Sequence, residues 1–239
     1  MSDYVLDQHF SIADHYIKRD IIRHLLTVPS ARYAQLRPKN LESNLFMYHL
    51  KQLMKDGVVK KNDDGSYGLT SYGMQMSDRI SLESLKLRIQ PKLITILVVK
   101  NPKGEYALIE RTHQPFLNYK GFPSGKIHYG EALQDAARRE LAEKTGLTGI
   151  ELTLCGTYIM RYHKDKNIIN HIIGYVFSGE APENAETNVR TEMFNSFWGD
   201  NEVLYGATAF KGHKEIIELM ENAKNGQLFL TQDDFESDF

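Results

Sequence analysis

Apolar residues in the first third of the chain recur at helical spacing. Ile12, Tyr16, Ile17, Ile21, Leu25 and Leu26 form a stripe of that kind, and Pro29-Ser30 ends it. Ala31 to Leu36 predicts a short second helix, stopped by Pro38. Asn40 is a suitable cap for a third, from Leu41 to Lys55, with Phe46, Leu50 and Leu53 as its buried face and Gly57 as its stop. Val58 to Lys61 and Ser66 to Leu69 predict two short strands around the turn Asp63-Asp64-Gly65. Ser71 to about Leu87 is again helical in pattern, and Ser81 to Gln90 joins it to the second part of the chain without a Gly or Pro.

Beyond Pro91 the pattern changes. Lys92 to Lys100 and Tyr106 to Glu110 predict strands around the turn Asn101-Pro102-Lys103-Gly104. After the turn residues Pro123-Ser124-Gly125, a helix is predicted from Glu131 to about Thr145. Ala132, Leu133, Ala136, Ala137 and Leu141 supply its small or apolar positions and Gly146 its stop. Ile150 to Arg161 and Ile172 to Ser178 read as strands, with Tyr162 to Asn170 as a polar connection. Tyr162, His163 and His171 are candidates for ligand contact there, against equally ordinary surface or core roles. Glu180 to Arg190 is an acidic loop, and Phe210 to Ala223 a last helix. The stretch around Trp198 follows no alternation. The acidic tail from Thr231 to Phe239 is expected to be disordered or to dock on a partner.

Composition narrows the class. The 239 residues are 41% hydrophobic and 25% charged, the balance of a soluble globular protein with chain enough for one large or two ordinary domains. No apolar run is long enough to span a bilayer, and the N-terminus has no signal-peptide pattern. Cys155 is the sole cysteine, so an internal disulfide is impossible and a cytoplasmic, reducing location is expected, with a buried structural thiol as the default reading. Net charge is −2, made of +3 over residues 1–90 and −5 over the remainder. That sign suits a DNA-facing N-terminal part.

The densest chemistry lies at 125–147. Glu140, Glu143 and Lys144 share one face of the predicted helix, because residues three and four apart are neighbours. Two carboxylates one turn apart can hold Mg²⁺, which takes one or two carboxylates plus substrate phosphates. Taken alone, the helix is better read as a solvated, charge-paired surface. The whole stretch, GKIHYGEALQDAARRELAEKTGL, resembles the Nudix box. Gly125, Glu131, Arg139, Glu140, Leu141, Glu143, Gly146 and Leu147 all fall at the family's spacing. Gly121 to Lys126 is similar to the usual lead-in, and Arg111 stands where an arginine often ends the preceding strand.

The resemblance implies an α/β/α Nudix sandwich over residues 91–239 and a ligand containing a nucleoside diphosphate. It implies Mg²⁺ held by Glu140 and Glu143, a catalytic group of Glu140, Glu143 and Arg139, and a supporting ion pair of Glu131 with Arg139. Arg111, Gly125, Lys126 and Lys144 are the expected ligand-binding residues. A further acid is expected from a late loop, with Glu183, Glu186 and Glu192 as candidates. One position departs from the family: Lys144 stands where a second glutamate ligand belongs. An ammonium has no lone pair to offer a metal. Either Lys144 turns to solvent and leaves a weakened Mg²⁺ site, or its charge takes the place of the metal against phosphates.

The order helix, short helix, helix, two strands, helix in residues 1–90 resembles a bacterial winged helix-turn-helix domain. Tyr48-His49-Leu50-Lys51 matches the second half of the recognition helix, and Leu69-Thr70-Ser71-Tyr72-Gly73 the close of the wing. That resemblance implies outward-facing Ser43, Asn44, Met47, Tyr48 and Lys51 at a DNA groove, with Lys60 and Lys61 on phosphates. The alternative is a winged helix used only for dimerisation or protein binding. The expected protein is thus a mixed α/β chain: a winged helix-turn-helix at 1–90 and a Nudix domain at 91–239. It acts either as a ligand-responsive DNA-binding regulator with weak or no hydrolysis, or as an active Mg²⁺-dependent pyrophosphohydrolase with an accessory winged helix. Expected partners are the nucleotide metabolite, duplex DNA and a second copy of the chain, with no membrane.

Overall fold

The computed structural model describes residues 15–78, 90–114, 116–223 and 227–237. It divides the chain into two compact units, residues 1–89 and 90–239.

The first unit is built from α1 (Tyr16–Thr27), α2 (Tyr33–Leu36) and α3 (Ser43–Lys55), the antiparallel strands β1 (Val59–Lys61) and β2 (Tyr67–Leu69), and α4 (Ser71–Asp78). Ile17, Ile21, Leu25, Phe46, Leu50 and Leu53 meet in its core, as their helical spacing requires. The hairpin turn closes on Gly65, whose φ of +81° lies in the left-handed region open to glycine. Two expectations change here. Asn40 does not cap α3, because the helix starts two residues later than expected, at Ser43, after Glu42. Met47 does not face outwards but packs, half-buried, against the core. The expected continuation of α4 towards Leu87, and Ile12 of the first stripe, fall outside the described residues.

The second unit holds a mixed eight-stranded sheet. Its strands are β3 (Lys92–Lys100), β4 (Tyr106–Arg111), β5 (Lys120–Gly121), β6 (Ser124–Lys126), β7 (Thr153–Lys164), β8 (Asn167–Glu180), β9 (Phe194–Gly199) and β10 (Phe229–Glu236). The order is β10-β7-β8-β3-β4-β5, with β6 also paired to β3 and β9 to β4. α5 (Leu133–Thr145) covers one face and α7 (His213–Asn222) the other, while α6 (Asn201–Tyr205) is a short turn before α7. This explains the solid apolar run in β3. Leu97 and Val99 join Ala137 and Leu141 of α5, whereas Ile96 and Val98 join Ile216 and Ile217 of α7. A strand buried on both faces cannot alternate.

Two sequence expectations are corrected in this unit, and one unassigned stretch is placed. Tyr162 to Asn170 is not a loop, because β7 and β8 run on through it as one long hairpin. Its tip is Asp165-Lys166, both at positive φ (+50° and +67°), as two-residue hairpin turns of matching twist require. The stretch around Trp198 is β9, antiparallel to β4. The described part of the acidic tail is not loose but forms β10, parallel to β7. Tyr158 donates to Asp233 at 2.7 Å, and Arg161 and His163 both bond Asp234. No helix among the described residues is long and apolar enough to cross a membrane.

Candidate functional site

The candidate site forms where β6 meets α5. β6 lies antiparallel to β3, with Gly125 opposite Thr95 and Lys126 opposite Ile94. Ala136, Ala137 and Leu141 seat α5 on the sheet, and Gly146, at φ +77°, ends it by donating to the Ala142 carbonyl. That seating brings the side chain of Glu140 against the backbone of Gly125. A Cβ at Gly125 would lie 1.8 Å from the Glu140 carboxyl carbon, so only glycine leaves room for the carboxylate. We expect Gly125→Ala to cost ~1–3 kcal/mol of stability, the usual scale of overpacking, and Glu140→Ala in the same chain to return part of that loss. Urea titration of the single and double variants reads this out, and an unperturbed Gly125→Ala protein would contradict the contact.

Arg139 organises the carboxylates. Its Nε and Nη2 hold Glu131 Oε1 and Oε2 at 2.7 and 2.8 Å, and Nη2 also donates to the Lys126 carbonyl at 3.0 Å. Nη1 lies 2.7 Å from Glu140 Oε1 and 3.5 Å from Glu143 Oε2. The bidentate arginine, helped by the His128 N–H, holds the Glu131 carboxyl down to about 2. The same carboxylates push the Arg139 guanidinium further up. Glu131 and Arg139 thus tie the loop after β6 to the helix. Glu140 is only 5% exposed, and Glu143 is open to solvent.

Lys144 is half-buried, with its ammonium 4.4 Å from the centre of the Phe194 ring on β9. The ring face satisfies the charge in part. The donors for a divalent cation are therefore Glu140 and Glu143, and among the described residues no group of three His, Cys, Asp or Glu side chains could hold a metal. Two carboxylates suffice for Mg²⁺ only where phosphate oxygens and water complete its shell. The residues present thus fit Mg²⁺ as a partner of a bound phosphate, not as a protein-held ion. Glu183, Glu186 and Glu192 are all exposed, and no described contact selects one of them.

Beside the box, on the α7 face of the sheet, lies a cavity of about 350 Å³. Phe116, Tyr162, Ile172 and Phe210 give it aromatic and apolar walls, and Lys92 and Arg111 give it cations. Burial lowers the pKa of Arg111, and burial together with Lys126 and Arg111 lowers that of Lys92. A partly desolvated Lys92 that also feels the charges of Arg111 and Lys126 favours an anion beside it. Arg111, Gly125 and Lys126 of the sequence-derived set thus lie at this cavity or its adjoining strand, while Lys144 is turned to Phe194. Tyr162 lines the cavity and donates to the Lys211 carbonyl, whereas His163 is taken by Asp234. Sequence reading missed Lys92, Phe116 and Phe210, which lie on different elements and meet only in the fold. It also missed His113, 2.7 Å from Arg111. Cys155 is half-buried, with its Sγ 3.1 Å from Ser178 Oγ.

In the first unit Ser43, Asn44, Tyr48, Lys51, Lys60 and Lys61 are exposed. Ser43 shares a 2.8 Å hydrogen bond with the Tyr33 hydroxyl, and the Lys61 ammonium lies 5.9 Å from the Tyr67 ring centre. His49 is buried and stacks on His15 at 4.0 Å, a packing role.

A sheet clasped by a Gly125-to-Leu147 loop and helix, with Arg139 bridging Glu131 and Glu140, defines the class. The family model described as NUDIX domain matches residues 91–220, more than half of the chain, and the protein belongs to that family. An ADP-ribose pyrophosphatase of Methanocaldococcus jannaschii is 27% identical over 115 residues, 46% of this chain and 66% of that relative. An RNA pyrophosphohydrolase of Caulobacter vibrioides is 47% identical over 57 residues, 23% of this chain and 33% of that relative. The chain thus spans just under two thirds of one curated relative and a third of the other. Among solved structures, the NUDIX domain of Shewanella oneidensis NrtR, complexed with ADP ribose, is 19% identical with a TM-score of 0.48, covering 64% of this chain and 97% of that one.

Proposed function

We propose that the protein is a DNA-binding regulator whose NUDIX domain binds a nucleoside-diphosphate-linked metabolite and hydrolyses it weakly or not at all. The observation that carries this reading is the cavity beside the box, with aromatic walls for a base and Lys92, Arg111 and Lys126 for a diphosphate. Lys144 at a carboxylate position supports binding over turnover. When Mg²⁺ is bound with the diphosphate it would act as a Lewis acid, with Glu140 and Glu143 as its protein ligands. The chain's own contribution is to hold those carboxylates through Arg139 and Gly125 and to receive the phosphates on cations.

The first unit supports the DNA half of the reading. It has the element order of a winged helix-turn-helix, with Asn44, Tyr48 and Lys51 exposed on α3 and Lys60 and Lys61 on the hairpin. We assign it duplex DNA, bound by a homodimer in the cytoplasm. The second reading, an active pyrophosphohydrolase, is favoured by the complete Glu131–Arg139–Glu140 array and by the activities that the two curated relatives are named for.

Fluorescence anisotropy on genomic fragments at two salt concentrations tests the regulator. Phosphate contacts release counterions, so affinity should fall steeply with salt. Lys60→Ala with Lys61→Ala should flatten the slope by about two while weakening all sequences alike. Saturating ADP-ribose should then shift DNA affinity by about 5- to 150-fold, and DNA should shift ADP-ribose affinity by the same factor. Absence of DNA binding at low salt would remove the regulator and leave a winged helix that serves dimerisation or protein binding.

A further inference from the structure

We propose that His113 sets ligand affinity through Arg111, as a positioning residue that aims the guanidinium at the cavity and ties it to residues 192–193. This rests on the reading of the cavity as a nucleoside-diphosphate site.

The partners fix the state of the imidazole. Arg111 Nη2 lies 2.7 Å from His113 Nε2, and a guanidinium can only donate, so Nε2 accepts. A neutral ring then carries its proton on Nδ1, which donates to the Met193 carbonyl at 3.0 Å. That carbonyl also receives the Thr112 N–H at 3.1 Å, and Thr112 Oγ1 donates to the Glu192 carbonyl at 2.6 Å. Three hydrogen bonds therefore pin the 192–193 backbone to the end of β4. The next residue is Phe194, whose ring bears the Lys144 ammonium. One imidazole thus connects a cavity arginine to the segment beneath the box lysine.

The energetic consequence is preorganisation. Arginine is long and loses rotamer freedom when a ligand immobilises it. A guanidinium already held at one nitrogen meets a phosphate with less of that freedom left to lose. The role needs one acceptor and one donor on opposite sides of a short side chain. A glutamine amide also offers both, and leucine neither.

The test is calorimetric titration of the full-length protein with ADP-ribose. His113→Leu should weaken binding about tenfold, the scale of one charge-assisted hydrogen bond, and His113→Gln should stay within about threefold of the parent. In an Arg111→Gln background, His113→Leu should change nothing further, because the two act as one unit. A merely structural histidine would give additive losses and no rescue by glutamine. Parent protein that binds no ADP-ribose overturns the ligand reading and this proposal with it. Parent protein that binds, with His113→Leu unchanged or additive to Arg111→Gln, overturns the role of His113 and leaves the ligand reading standing.

Discussion

Lys144→Glu should gain Mg²⁺-dependent hydrolysis of ADP-ribose, by about a hundredfold or more over the parent, since Lewis-acid stabilisation by a properly held metal is worth several kcal/mol. The parent places two carboxylates, Glu140 and Glu143, beside an arginine that neutralises both to some degree. A third carboxylate one turn after Glu140 supplies a ligand and removes a positive charge that opposes the metal. The new side chain has no reason to stay over Phe194, whose ring face attracts cations and repels anions. Steady-state cleavage of the ADP-ribose pyrophosphate link with and without Mg²⁺, for parent and variant, measures the effect. Robust parent turnover that disappears in Glu140→Gln would establish the hydrolase reading instead.

The second large effect is acid lability of the C-terminal unit, centred on His213. Its ring is stacked on Phe122 at 5.0 Å, and Nδ1 accepts the Phe122 N–H at 3.0 Å. Gly121 makes room for it, since a Cβ there would lie 2.2 Å from the ring. Burial pushes the His213 imidazole down to about 3. An unfolded histidine titrates near 6.5, so between those values the unfolded chain binds one more proton than the folded one. Stability from this group is complete above about pH 6.5 and falls as pH drops towards 3. The slope for one proton is ~1.4 kcal/mol per pH unit, which over that range is large beside the ~5–15 kcal/mol of a typical domain. His213→Asn keeps an acceptor near Nδ1 but cannot titrate. It should cost stability at neutral pH and flatten the loss on acidification. Trp198, the sole tryptophan, lies on β9 and reports this unit alone in urea titrations across pH. Equal pH slopes for parent and variant would show that His213 is not the acid-sensitive group.

These two predictions differ in how much of each was legible in the chain. Lys144 stands out in the sequence because its neighbours keep a fixed spacing around it. His213 carries no such signal: its burial depends on Phe122 and Gly121, some ninety residues away.

Sequence alone determined what depends on local spacing. The helices α1, α3 and α5, the hairpin at Asp63-Asp64-Gly65 and the run in β3 follow from periodicities of 3.6 and 2 and from turn residues, which the chain states directly. The pairing of Glu131 with Arg139 is implied by the resemblance to the Nudix box. Tertiary structure decided whatever depends on partners distant in the chain. Residues 162–170 look like a polar loop because the run from His163 to Asn167 carries no apolar residue, and only strand pairing makes it strand. The acidic tail lacks apolar alternation, yet backbone bonds to β7, together with Tyr158 on Asp233 and Arg161 on Asp234, hold β10 in place. The resting place of Lys144 over Phe194, the link from Arg111 to His113 and the meeting of Lys92, Phe116 and Phe210 at one cavity arise the same way. Each joins residues on separate strands, helices or loops, and side-chain chemistry names candidate groups without saying which of them the folded backbone will bring within 3–5 Å.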